Sequence, residues 1–353
     1  MRKPFFSAVS RWKVGCRAAL LSALLSALAA VVLSAFPLEI SAQEMSAQTP
    51  ASREQVEKLL SRWKEHFKGA ETLRDRRTAF RDFMETLPEP TRIQIRRVDA
   101  GGVEAELLWP ARLHHPIGRR VILFIHGGGF YSGSIRSHSL LAGSLAKAAS
   151  SDVLLIDYRR APEYGYPAQV NDALSAYRYL LDSGYSNGNI IVMGDGAGGN
   201  LAIETVLLQM RSRQPLPAAV VALSPITDLA ASGASVTSNA ANDQVLDKNV
   251  LEALRKAYLG NNSATDPDIS PLYADFSGFP PLLLQVGSGE LLLDDTLRLA
   301  DKARKDGVDV TAEVWPGMPH QWQLFPSVLD DADKAGQKIA EFAITHFADP
   351  PAQ

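Results

Sequence analysis

Cysteine is nearly missing from this chain of 353 residues, and the one present, Cys16, falls in the N-terminal leader. The folded body therefore has neither a disulfide nor a thiolate metal site. No His-Glu-x-x-His run or paired-cysteine motif occurs, so the sequence implies no metal and no cofactor. An excess of positive charge is lacking too. Lys and Arg number 36 against 39 Asp and Glu, for a net charge of -3, which gives no basic surface for nucleic acid. Hydrophobic content of 46% and charge of 21% are those of an ordinary globular protein, long enough to bury a sizeable core.

The leader has a pattern of its own. Arg2, Lys3, Arg11, Lys13 and Arg17 precede an apolar run over 18–36, and Ser41, Ala42 and Gln43 open a polar stretch. This order predicts an export signal over 1–43, and hence a periplasmic or secreted protein. The alternative is an uncleaved membrane anchor through residues 18–36, the only membrane attachment that the sequence suggests. A linker over 44–51 follows.

Residues 52–90 read as two amphipathic helices, with Val56, Leu59, Leu60, Trp63 and Phe67 and then Phe80, Phe83 and Met84 at helical spacing. They are expected to contribute to a cap. From 91 to 350 the pattern alternates between strand and helix. A strand pair turns at Gly101-Gly102, and buried strands follow at 121–125, 153–156, 190–193, 218–223, 281–286 and 310–314. Helices are read at 167–181, from 201, from 294 and over 332–347. Residues 230–275 lose strand character and suit a cap insertion. The expected class is α/β, a mostly parallel doubly wound sheet flanked by helices, with loops gathered at the strand carboxyl ends.

Three of those loops carry chemistry. The first strand of the series ends in His126-Gly127-Gly128-Gly129-Phe130, where glycines let backbone N–H groups approach a ligand, as an oxyanion hole requires. The strand at 190–193 enters a helix through Gly194-Asp195-Gly196-Ala197-Gly198, the build of a nucleophile elbow whose central position normally holds serine. Glu290 and His320 follow, completing the order nucleophile, acid, histidine.

With YRRAPE at 158–163, Ser224-Pro225 with Asp228, Gly287-x-x-Glu290 with Asp294-Asp295 and the WPGMPH run at 315–320, the chain resembles the hormone-sensitive-lipase family of carboxylesterases over about residues 70 to 347. The resemblance implies the α/β-hydrolase fold with a helical cap and a small-molecule ester or lactone as substrate. It implies that Gly127, Gly128 and Ala197 N–H groups bind the oxyanion, that His320 is general base and then acid, and that Glu290 fixes its tautomer. Asp294 is the second choice of acid, and a helix cap otherwise. His126, Asp195 and Glu163 support the site, the first and last by orienting the glycine loop. Phe130, Tyr131 and Trp322 are candidate pocket walls. His66, His114, His115, His138 and His346 are read as incidental, and Ser132, Ser134, Ser224 and Ser288 as unsuited to replace the nucleophile.

The departure from the family's pattern is Gly196, which has no Oγ to attack a carbonyl. Three readings follow: an ester hydrolase scaffold with strongly impaired turnover, a ligand-binding pseudoenzyme, and a dinucleotide-binding oxidoreductase from the formal match Gly194-x-Gly196-x-x-Gly199. The third expects an acid at the end of the next strand, where none occurs before Asp228. The oligomeric state is not legible.

Overall fold

The computed structural model describes residues 43–44, 49–111 and 120–348. Residues 1–42 of the leader, 45–48 of the linker, and His114 and His115 lie outside them. Among the described residues no helix is long and apolar enough to cross a membrane.

In chain order the elements are β1 (Gln43–Glu44), α1 (Pro50–His66), α2 (Leu73–Glu85), β2 (Ile93–Asp99), β3 (Glu104–Pro110), β4 (Val121–Ile125), α3 (Ile135–Ala149), β5 (Asp152–Ile156) and α4 (Ala168–Asp182). There follow β6 (Ile190–Asp195), α5 (Ala197–Arg211), β7 (Ala219–Leu223), the single turn α6 (Ser235–Ser238), α7 (Lys248–Leu259), β8 (Leu282–Gly287), α8 (Leu293–Lys305), β9 (Val310–Trp315) and α9 (Asp330–His346). The strands form one sheet in the order β1-β9-β8-β7-β6-β4-β5-β3-β2. Only the β2–β3 and β3–β5 pairings are antiparallel. This is the α/β-hydrolase fold expected from the alternation of strand and helix.

Strands β4 and β7 at the centre are apolar throughout because both faces of the sheet are covered. In β4, Val121, Leu123 and Ile125 enter one core layer, whereas Ile122 and Phe124 enter the other. The first layer also holds Val206 of α5 and Leu299 of α8, and the second holds Leu141 of α3 and Ile339 of α9. Each such side chain, fully buried, contributes about 1.5–3 kcal/mol.

Two elements escaped the sequence reading. β1, at the junction of leader and linker, adds two residues in parallel to β9. α3 is the larger omission. Its start is set by Ser134, whose Oγ accepts the Ser137 amide while Ser137 Oγ accepts the Ser134 amide. Leu140, Leu141, Leu145 and Ala149 then face the core. That cap and apolar spacing were visible in the sequence.

One buried acid sits in α5, behind the elbow. Glu204 is 1% exposed, and among the described residues neither of its carboxylate oxygens has a hydrogen-bond partner. Burial, with Asp268 adding, pushes its acid well above the ordinary value. The folded state therefore holds a proton that the unfolded chain releases above its ordinary glutamate pKa, so this group's contribution to stability falls as pH rises through that interval. The slope is at most about 1.4 kcal/mol per pH unit. Glu204→Gln is expected to raise the thermal midpoint more at about pH 8 than at about pH 5. Equal shifts at the two pH values would remove this account.

Candidate active site

The elbow is built where β6 meets α5. Gly194 and Gly198 bring α5 into backbone contact with β6 and β4: a Cβ on Gly194 would collide with the Gly198 carbonyl oxygen, and one on Gly198 would collide with that of Ile125 at the end of β4. Between them Gly196 takes φ +52°, ψ −115°, a backbone region that strains residues with side chains. Its amide donates to the Leu223 carbonyl at 2.8 Å, and its carbonyl accepts from the Ile226 amide at 3.1 Å, which fixes the turn against β7. An ideal Cβ at 196 would stand 3.5 Å from His320 Nε2 and 3.2 Å from Gln321 Nε2. The histidine thus faces the elbow.

His320 Nδ1 lies 2.7 Å from Glu290 Oε2, so its N–H donates to the carboxylate. Glu290 is fully buried, and its other oxygen accepts from Ser224 Oγ at 2.8 Å and from the Gly287 amide at 2.5 Å. Burial opposes charge on the imidazole. The bond and charge of Glu290 outweigh it, with Asp243 and Asp195 adding, and the histidine titrates above its ordinary value. Asp294 is no rival, because its Oδ2 accepts the Ser235 amide at 3.0 Å at the start of α8.

The glycine turn departs from expectation by one residue. The Gly127 amide, expected in the oxyanion hole, donates to Asp195 Oδ1 at 2.9 Å and also lies 3.2 Å from His138 Nε2. The backbone is still following β4 alongside the end of β6, so this N–H meets the Asp195 carboxylate. Gly128 and Gly129 then take φ of +106° and +61°. With Ala197 they border a cavity above Gly196, and among the described residues none of the three amides has a protein acceptor. The donors that the geometry offers are therefore Gly128, Gly129 and Ala197.

The supporting residues form a network. His126 Nδ1 donates to the Gly127 carbonyl at 2.8 Å, and its ring stacks on Tyr158 at 4.2 Å. Burial keeps its pKa below the ordinary value despite Asp157 at 3.3 Å. Asp195 is the centre: Gly127, His138 and the Gln321 side-chain amide all converge on it. Burial would raise the pKa of this acid, yet the two histidines and the Gly127 amide hold it below the ordinary value. Glu163 acts at one remove. It binds Arg77 of α2 through 2.8 and 2.9 Å contacts, and Arg77 in turn donates to the Tyr131 and Ala161 carbonyls at 2.5 and 2.6 Å. That pairing holds Glu163 at about 2.

The reading of His138 as incidental is corrected by this network, since His138 is fully buried against Asp195. His66, by contrast, is exposed. Arg77 and Gln321 were also missed. No local pattern marks them, because their partners come from distant parts of the chain.

The four serines considered as substitutes are otherwise engaged. Ser132 donates to the Gly128 carbonyl, Ser134 caps α3, Ser224 serves Glu290, and Ser288 accepts the Gly317 amide.

The cavity measures about 50 Å³, and Trp63 of α1, Phe67 just beyond its end, Phe80 of α2, Tyr131, Ile226 and Leu254 wall it. It shares Trp63, Phe67 and Arg76 with an outer cleft of about 620 Å³. Phe130 and Trp322, expected as walls, are core residues: Phe130 stacks on Tyr258 at 3.7 Å, and Trp322 is fully buried beside Trp315. The dinucleotide reading also fails, because the first acid beyond β7 is committed. Asp228 binds Ser232, Tyr273 and Arg298.

The chain is similar to known proteins in sequence and fold. The family described as the α/β-hydrolase fold matches residues 122–324. An acetyl-hydrolase of Streptomyces hygroscopicus is 40% identical over 70% of this chain and 82% of its own length. An esterase of Acinetobacter venetianus is 35% identical over 72% and 84%. The crystal structure of an esterase from the bacterial hormone-sensitive lipase family superposes with a TM-score of 0.79 at 38% identity, covering 84% of this chain and 99% of that one.

Proposed function

Because this chain belongs to the hormone-sensitive-lipase family of α/β-hydrolase esterases, we propose that the cavity above Gly196 is an acyl-transfer site for carboxylic esters of small acyl groups. The observation that carries the reading is convergence: His320 Nε2, the elbow and three unclaimed amides meet at one small cavity. Its size and the acetyl group in one relative's name support a short acyl chain.

In this reading position 196 is where the attacking oxygen stands. His320 withdraws its proton and later returns it to the leaving alcohol, while Glu290 holds the Nδ1–H tautomer and stabilises the imidazolium. The Gly128, Gly129 and Ala197 amides take the charge that develops on the carbonyl oxygen. Helices α1 and α2 and residues 245–254 act as the cap that excludes water. With glycine at 196 the covalent route is closed. Loss of a triad member leaves only about 10³–10⁴-fold catalysis over water, from the oxyanion hole and binding. The chain with Gly196 is therefore a strongly impaired hydrolase, in which a water activated by His320 is the remaining nucleophile. The basic and then apolar leader supports export, or anchoring through 18–36.

A second reading, a binding protein on the same fold, is favoured by one observation: the donor set is complete although Gly196 contributes no side chain.

An organophosphonate tests the assignment. The Gly196→Ser variant is expected to be labelled covalently at position 196, and the unsubstituted chain is not. The labelling rate should rise with pH through a midpoint above about 6.5, because only neutral His320 accepts the proton and its titration is raised. A folded variant that resists labelling would end the hydrolase reading.

A further inference from the structure

We propose that the unsubstituted chain binds short-chain monocarboxylate anions at Gly196, with one carboxylate oxygen on the Gly128, Gly129 and Ala197 amides and the other on His320 Nε2. The proposal rests on the site assignment above but requires no turnover.

Three observations carry it. The first is the donor set: three amides with no protein acceptor border the cavity, and one of them opens α5, a helix of 15 residues whose N-terminus favours negative charge. The second is His320, which is 7% exposed, has Nδ1 committed to Glu290, and leaves Nε2 without a partner toward the elbow. The third is Gly196 itself. With no side-chain atom there, the position a Cβ would take stands 3.5 Å from His320 Nε2 and 3.2 Å from the Gln321 side-chain amide, which is committed to Asp195, so the imidazole and the three backbone amides border one space. An ester presents a single carbonyl oxygen to such a pair, whereas a carboxylate presents two acceptors.

Charge decides the conditions. Glu290, Asp243 and Asp195 act on His320, while Arg76 at the cavity wall is paired with Asp247 at 3.0 Å and Tyr131 is a neutral phenol. An anion placed beside a neutral imidazole would meet these carboxylates without compensation. A proton on Nε2 supplies both the donor and the charge, so anion and proton bind together. The upward displacement of the His320 titration is in the direction that this coupling needs. Above that titration, affinity should fall about tenfold per pH unit. Size selects the ligand. A cavity of about 50 Å³ with Phe80, Ile226 and Leu254 in its wall accepts a short alkyl chain and no second charge.

The test is calorimetric titration of the full unsubstituted chain with acetate, propionate and butyrate, and with butyramide as the neutral counterpart, at about pH 5.5 and about pH 8.5. One-to-one saturable carboxylate binding is expected at the lower pH, at least tenfold weaker at the higher, and absent in His320→Ala with its far-ultraviolet dichroism intact. Butyramide should bind more weakly and without pH dependence. No saturation at the lower pH, equal affinity at both, or unchanged binding in His320→Ala would each overturn the proposal. Phosphonate labelling of Gly196→Ser remains a separate readout, so labelling without carboxylate binding sinks this inference alone. The reverse result sinks the hydrolase reading alone.

Discussion

Gly196→Ser is expected to raise kcat/KM for p-nitrophenyl acetate at least about 10³-fold, because restoring a nucleophile to an otherwise assembled triad returns the covalent route. The geometry is favourable. A Cβ at 196 stands 3.5 Å from His320 Nε2, and an Oγ one bond further comes within hydrogen-bond reach. Adding His320→Ala should abolish the gain, since without the base the serine stays protonated. Stability should move the other way. At φ +52°, ψ −115° a side chain costs about 1–3 kcal/mol. The Gln321 amide, 3.2 Å from the new Cβ, must also give by a few tenths of an ångström. The variant should thus gain rate and lose urea resistance together. A folded variant with an unchanged rate, or a gain that persists in His320→Ala, would show that the elbow and the histidine do not act on one substrate.

The second large effect is expected at Asp195. Its carboxylate is the shared acceptor for Gly127, Gln321 and His138 in a place that water does not reach. Asp195→Ala strands those donors and is expected to cost about 3–5 kcal/mol in urea unfolding. Asp195→Asn keeps an acceptor for Gly127 and should cost less. Because the folded-state pKa of Asp195 lies below the ordinary value, its contribution is present above about pH 4 and is lost as pH falls through the lowered value. The stability gap between the unsubstituted chain and the Asp195→Asn variant should accordingly narrow in acid. In the Gly196→Ser background Asp195→Asn should depress kcat more than it raises KM, because the group sets the turn that carries the oxyanion donors rather than touching substrate. A cost below about 1 kcal/mol for the alanine variant would remove Asp195 from the centre of the site.

The elbow, the acid and the histidine could be read in the sequence because each is a local signal. Apolar residues recurring with the period of a strand or a helix, glycine at a sharp turn, and a loop at the strand carboxyl end are all properties of a few neighbouring residues. Their order along the chain then named Glu290 and His320, and the 2.7 Å contact joins those two. α3 was equally legible through Ser134, Ser137 and the leucines that follow.

What the chain determined by itself was the alternation that makes the sheet and the chemical identity of the residues at its loop ends, including the glycine at the elbow. Tertiary structure alone decided how those groups are used. It directed the Gly127 amide to Asp195, 68 positions away, and so left Gly128 and Gly129 as the open donors. It brought Gln321 and His138 to the same carboxylate across 126 and 57 positions, and Arg77 to Glu163 across 86. The reason is physical. A periodic pattern records which face of an element is buried, whereas the partner of a single N–H depends on which distant segment folds against it.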